Sequence, residues 1–191
     1  MKVIDISAWQ TEIDWQGLVD SGVDGVILKI GERSSFDNMF VDHINHAVEY
    51  GLQYGVYYFA HACTYDEAVA EADQVAAWLK EYLRGETPPL GIWYDAESNR
   101  MLNGDVTECC RAFINQLTNY GHQYNGVYAS WSWLSAESSH YIRIEDLPDP
   151  VGIISKRSIR LRITSDKYKT NVLPNNFKDC KRFSANSSAS F

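Results

Sequence analysis

Leu90-Gly91-Ile92-Trp93-Tyr94-Asp95-Ala96-Glu97 reads as a buried strand that runs straight into two carboxylates. Residues i and i+2 of a strand point to the same face, so Asp95 and Glu97 project together from the end of an apolar element. Two neighbouring acids repel each other, and partial desolvation of one raises its pKa while the other stays ionised. One protonated and one ionised carboxyl on a rigid strand end form the pair that acid-assisted cleavage of a glycosidic bond requires. A D-x-E at a strand end is also what an ordinary solvent-facing terminus looks like. The surrounding chain decides between the two.

Upstream and downstream, short apolar runs alternate with helical patterns. Val3 to Ser7, Gly25 to Ile30, Gly55 to Ala60 and Asn125 to Ser130 read as further strands. Asp14 to Ser21 reads as a short helix, and Met39 to Tyr50 as a longer one with Phe40, Ile44, Ala47 and Val48 on one face and Gly51 after its end. Thr64-Tyr65-Asp66-Glu67 has the form of a capping box opening a helix that continues to Leu83, where Pro88 and Pro89 forbid continuation. Asp105 with Glu108 has the same form, ahead of a helix that ends at Tyr120 and Gly121. Five βα-like units of this length predict a parallel α/β architecture.

Parallel sheets carry their working residues at the C-terminal strand ends. Here those ends hold Asp5 and Ser7, Lys29, Tyr58 and His61, Asp95 and Glu97, Tyr128 and Ser130. No G-x-G-x-x-G follows the first strand and no Walker sequence occurs, which disfavours a nucleotide-binding fold and leaves a closed or partly closed barrel. An enzyme of phosphorylated metabolites would need a Gly-rich phosphate loop that is missing.

The 191 residues, 45% hydrophobic and 22% charged, fit a globular domain with a sizeable core. The 6 Trp, 12 Tyr and 7 Phe are a high aromatic load; most of these rings must fill the core, and any beyond its needs suit the apolar faces of sugars. No run is long and apolar enough for a transmembrane helix, and Met1-Lys2-Val3-Ile4-Asp5 places an acid where an export signal needs its apolar stretch. The expectation is a chain with no membrane insertion and no export signal of its own, held in the cytoplasm until another route releases it. Cys63, Cys109, Cys110 and Cys180 include no C-x-x-C pair, which argues against structural zinc and for buried, reduced thiols. No histidine pattern accompanies Asp95 and Glu97, so no metal or other cofactor is expected there.

Charge changes abruptly along the chain. Residues 1–149 hold 8 Lys/Arg and 23 Asp/Glu, a net of −15; residues 150–191 hold 9 and 2, a net of +7. An acidic body argues against a nucleic-acid partner.

Asp5-Ile6-Ser7-Ala8-Trp9-Gln10, Ile13-Asp14-Trp15, Tyr57-Tyr58-Phe59 and Asp95-Ala96-Glu97, in this order and spacing, resemble the glycoside hydrolase family 25 lysozymes, the Chalaropsis-type muramidases common as phage endolysins. The resemblance covers residues 1–150. It implies an irregular (β/α) TIM-like barrel that hydrolyses the β-1,4 bond between N-acetylmuramic acid and N-acetylglucosamine, with peptidoglycan glycan strands as partner. Matched position by position, it implies Glu97 as general acid/base, Asp95 as its partner carboxylate and Asp5 as a further active-site acid. Tyr58 and Tyr128 match the aromatic lining of the groove. Trp131, just after the last of these strands, is a candidate to flank the sugar, with Trp133 as a second or as core. Trp9 and Gln10 fall within the motif without an assigned role. Lys29 is either a partner of a site carboxylate or a structural ion pair, and His61 reads as a strand-end histidine outside the chemistry.

After Pro150 the resemblance stops. The family's late Trp-containing strands and late active-site acid have no counterpart; no Trp follows Trp133, and Asp166 and Asp179 are the only late acids. Residues 151–191 therefore read as an atypical basic segment, of the kind a shifted reading frame would leave, with C-terminal strands missing or divergent and a Ser/Ala-rich end from Ser184 that predicts disorder. A divergent tail that still closes the barrel is the other reading. Two functions follow: an active muramidase, or an inactive remnant that binds glycan.

Overall fold

The structure is a computed structural model that describes residues 1–135, 142–148, 152–155 and 158–162, the last two stretches as backbone apart from Gly152. One eight-stranded mixed sheet organises it. The strands are β1 (Val3–Ile6), β2 (Gly25–Glu32), β3 (Ser35–Phe36), β4 (Gln53–Phe59), β5 (Ile92–Asp95), β6 (Asn125–Ala129), β7 (Gly152–Ser155) and β8 (Ser158–Arg162). The order across the sheet is β1-β2-β4-β5-β6-β7-β8, with β3 a short antiparallel flap on β2. Pairings from β1 to β7 are parallel, and β8 turns back antiparallel on β7. The sheet curls until β8 approaches within 8 Å (Cα–Cα) of β1, an irregular, barrel-like arrangement. Two of its strands lie beyond residue 150, where the family pattern fades. The late acids Asp166 and Asp179 and the Ser/Ala-rich end lie outside the described residues.

Helices α1 (Trp15–Asp20), α2 (Phe40–Glu49), α3 (Tyr65–Leu83), α4 (Val106–Asn119) and α5 (Trp131–Leu134) connect the strands. Three of these helices, α1, α3 and α4, start at a side-chain cap. Asp14 Oδ1 accepts from Gly17 N at 2.8 Å, Thr64 Oγ1 from Glu67 N at 3.3 Å and Asp105 Oδ1 from Glu108 N at 3.1 Å. The Thr64–Glu67 pair is half a capping box: Glu67 Oε2 accepts from Cys63 N at 2.7 Å, one residue earlier than the reciprocal bond requires. Gly51 and Gly121 take φ of 70° and 92° just past α2 and α4, a left-handed conformation that any side chain would strain.

Two apolar clusters divide the molecule. The larger lies between the sheet's outer face and the helices, with Leu28, Val56, Tyr58, Tyr94, Phe113 and Leu79 at its centre. The smaller fills the barrel interior with Val3, Ile27, Tyr57, Leu90, Trp93 and Tyr128. Trp93 is fully buried there and donates its indole N–H to Leu90 O at 2.6 Å. Cross-strand pairing sets Trp93 level with Gly126, and Gly126 level with Gly152. A Cβ at Gly152 would stand 2.5 Å from the Trp93 ring, so a bare backbone makes room for the indole. Cys63, Cys109 and Cys110 are free thiols, and burial pushes Cys109 up to about 12 and raises Cys110 well above its ordinary value, which keeps both protonated and inert.

The loop below β6 gives the fold a pH dependence. His122 is buried, accepts or donates at Thr87 Oγ1 over 2.8 Å, and is held below its ordinary value of 6.5 by burial. The folded state keeps the imidazole neutral while the unfolded chain protonates normally. Its contribution is therefore complete above pH 6.5 and lost as the pH falls through that value toward the depressed one. Urea midpoints are expected to drop between pH 7.5 and 5.5, and a His122→Asn variant is expected to lose this component of the drop; an unchanged slope in the variant would place the acid sensitivity elsewhere.

Candidate active site

Strand register decides which side chains meet. Tyr57 pairs with Trp93, and Asp95 pairs with Phe59 on one side and Tyr128 on the other. Paired residues share a face, and Trp93 faces the barrel interior. Asp95, two residues on, faces inward too, and Ala96 between the carboxylates packs in the outer cluster. Glu97 then follows Asp95 on the interior side, where its Oε1 accepts the backbone N–H of Ser130 from the end of β6. Asp95 is 2% exposed, and Glu97, nearer the mouth, is half-buried.

Asp5 joins them from β1. Its neighbours in the alternation, Ile4 and Ile6, pack on the outer cluster. Asp5 itself sits on the interior side, exposed, and near enough for its charge to act on the Tyr128 phenol. Burial first, then the fields of Asp95 and Asp5, drive the Tyr57 phenol far above its usual value; burial, then Asp5 and Asp95, do the same to Tyr128. Both phenols stay protonated beside the carboxylates. Buried Asp95 and the two phenols therefore share one interior, with half-buried Glu97 and exposed Asp5 at its opening.

The structure moves one expected lining residue out of this chamber. Tyr58 is fully buried on the opposite face of β4, where its hydroxyl donates to Arg33 O at 2.7 Å and its ring lies against Trp78 and Phe113. It borders a separate pocket of about 450 Å³, shared with Arg33, His61, Glu67, Glu71 and Arg100. Tyr57 takes the place expected of Tyr58. Tyr128 is interior as anticipated, and Trp131 stands 58% exposed at the start of α5, just above it. Trp133 packs into the outer core.

The segment after Glu97 is anchored by a polar row that ends on the interior face of β2, where Lys29 pairs with Tyr57. Ser98 Oγ lies 3.1 Å from His61 Nδ1, and His61 Nε2 lies 2.9 Å from Glu32 Oε2. Lys29 completes the row with a 3.0 Å ion pair to Glu32, the structural alternative for that lysine. Glu32 is held below the usual carboxylate value against burial by its bonds to His61 and Lys29. Arg100 donates to His61 O and pairs with Glu67 at 2.7 Å, and that pairing holds Glu67 down at about 2. On the outer side, Glu71 accepts from Tyr94 Oη at 2.5 Å, and burial raises its carboxyl. Strand-end position marks Lys29 and His61 in the sequence, whereas Glu32 and Glu71 carry no motif of their own and Glu67 is marked only as part of a capping box. Among the described residues no group of three His, Cys, Asp or Glu side chains is placed to hold a metal ion.

The model of the glycosyl hydrolases family 25 matches residues 4–147, three-quarters of the chain and the whole of this chamber up to β6. The chain belongs to that family. No curated protein matches it. Solved structures similar to this family 25 chain include the modular autolysin LytC from Streptococcus pneumoniae, with 26% identity and a TM-score of 0.60 over 69% of this chain and 33% of that one. LytC in complex with a synthetic peptidoglycan ligand gives 21% and 0.63 over 84% and 43%. The catalytic domain of endolysin ply40 from bacteriophage P40 of Listeria monocytogenes gives 22% and 0.64 over 76% and 68%. The chain thus spans well under half the length of the LytC chains it matches, and their fold is the likeness that these identities carry.

Proposed function

We propose that this chain is a lysozyme, an N-acetylmuramidase that hydrolyses the β-1,4 bond between N-acetylmuramic acid and N-acetylglucosamine in peptidoglycan. The observation that carries the reading is the placement of Glu97 above the buried Asp95, on one face of β5, in a chain of family 25. The autolysin and endolysin likenesses support it, as does the capture of a peptidoglycan ligand by LytC.

Glu97 acts as general acid and gives its proton to the leaving glycosidic oxygen. Positive charge then builds at the anomeric carbon. Asp95, ionised below it, stabilises that charge, either directly or by orienting the substrate's 2-acetamido group so that the amide oxygen attacks. In both routes Glu97, now a base, takes a proton from the incoming water, and configuration is retained. Asp5 adds a further negative field, and the protonated phenols of Tyr57 and Tyr128 stand beside the chamber's charges. Trp131 lines the sugar path. The chemistry requires no cofactor. The glycan strand is the partner and the bacterial wall the place of action; among the described residues no helix is long and apolar enough to cross a membrane.

A glycan-binding remnant is the second reading, favoured by one observation: the family match ends at residue 147, before β7 and β8. The deciding experiment is reducing-sugar release from purified peptidoglycan by the full chain, beside co-sedimentation with the same wall. Release establishes the lysozyme. Sedimentation without release establishes the remnant.

A further inference from the structure

Strand β5 ends at Asp95, and the bond from Ala96 N to Tyr128 O at 3.0 Å continues its pairing with β6 by one residue. Glu97 is the first residue beyond that bond. Ser98, the next, is buried, and its hydroxyl is engaged on two sides. It accepts the Arg100 N–H at 3.2 Å and lies 3.1 Å from His61 Nδ1. Glu97 therefore sits on a span of one residue between two fixed points. One of them is the sheet, and the other is a side-chain bond to the segment after β4.

His61 is buried, and each of its polar groups has a partner. Its backbone N–H donates to Glu71 Oε1 at 2.9 Å, its carbonyl accepts from Arg100, and Nε2 lies 2.9 Å from Glu32 Oε2. Glu32 is held below the usual carboxylate value by its bonds to His61 and Lys29, and an ionised carboxylate only accepts. Nε2 is thus the donor to Glu32, Nδ1 is left as the acceptor, and the Ser98 hydroxyl donates to it. The order of protons is fixed along the whole row, from Arg100 N–H to Ser98, from Ser98 to His61, and from His61 to Glu32. Lys29 Nζ closes the far end on Glu32 at 3.0 Å. Register sets Glu32 level with Phe59, and Phe59 level with Asp95. The row so ties the segment that carries Glu97 to the sheet at the level of Asp95. A polar row of this kind costs desolvation that apolar packing would avoid, and when every member is satisfied it rigidifies what it touches.

We propose that the Ser98–His61–Glu32 row is a positioning device for Glu97, holding its carboxyl where it reaches the glycosidic oxygen. The inference rests on the lysozyme reading and deepens it: Ser98 and His61 touch no reacting atom and act through the acid beside them. Proton transfer tolerates little displacement, and a misplacement of about 1 Å costs on the order of 10²-fold in rate.

The test is reducing-sugar release from purified peptidoglycan by the full chain. Ser98→Ala and His61→Gln each remove the Ser98–His61 bond, and each is expected to lower kcat about 30-fold with KM within about twofold of the parent. His61→Asn puts a carbonyl oxygen where Nδ1 stands, keeps the acceptor for Ser98, and is expected to stay within about fivefold of the parent. In a Glu97→Gln background, Ser98→Ala is expected to change the residual rate less than about twofold, because no proton is left to aim; a bond that only supports the fold lowers both backgrounds alike. Should Ser98→Ala melt below the assay temperature, the contrast between His61→Gln and His61→Asn decides, since the two differ only in where the amide stands. Parent-like kcat in Ser98→Ala and His61→Gln, or equal losses in both backgrounds, overturns the positioning role and leaves the lysozyme standing. A parent protein that releases no sugar overturns both.

Discussion

Glu97→Gln is expected to lower reducing-sugar release from peptidoglycan by about 10³-fold, within the range that loss of a positioned general acid produces. The substitution is nearly isosteric, and the Gln carbonyl oxygen still accepts the Ser130 N–H that Glu97 Oε1 holds. The link between β5 and β6 therefore survives, and the missing element is the proton. Circular dichroism and thermal midpoint should match the parent, and so should sedimentation with walls, since binding draws on the rings and groove rather than on proton transfer. Release within tenfold of the parent would remove Glu97 from the acid role and leave Asp5 or Asp95 to be tried. Parallel loss of release and of thermal stability would instead mean that the Glu97–Ser130 bond is structural.

The second large effect is on stability. Trp93→Ala is expected to destabilise the fold by about 3–5 kcal/mol, the usual cost of deleting a large buried aromatic. Trp93 is fully buried in the small interior cluster, and its N–H bond to Leu90 O would be lost with it. The cavity cannot collapse easily, because the indole lies against the bare backbone at Gly152. For a chain of this length the thermal midpoint should fall by roughly 6–20 °C. The same ring supports Asp95, two residues on and facing the same way, so activity should fall below the parent even well beneath the melting point. A loss under 1 kcal/mol would show that the interior is not the packed plug described.

Much of this was legible in the residues alone. Strands at Val3, Gly25, Asn125 and around Asp95 were readable because Gly, Pro and capping acids punctuate apolar runs, and those signals act over a few residues. Asp95 and Glu97 sharing a face followed from the period of a strand. The family itself was readable, because its motif residues lie in order along the first 150 positions and its model matches residues 4–147.

Tyr57 and Tyr58 mark where local reading ends. A parallel strand buried on both faces is apolar throughout, so its own sequence does not say which side is in. That choice comes from pairing with β5, which sets Tyr57 beside Trp93 and turns Tyr58 toward the helices. The closeness of Asp5 to Tyr128, the Ser98–His61–Glu32 row and the continuation of the sheet into β7 and β8 likewise bring together segments distant in the chain. The sequence by itself determined the elements, the acids and the family, because each depends on spacing within a few residues. Only the tertiary structure decided which rings meet the acids and what braces them, because register between strands is a property of the closed sheet and of no single segment.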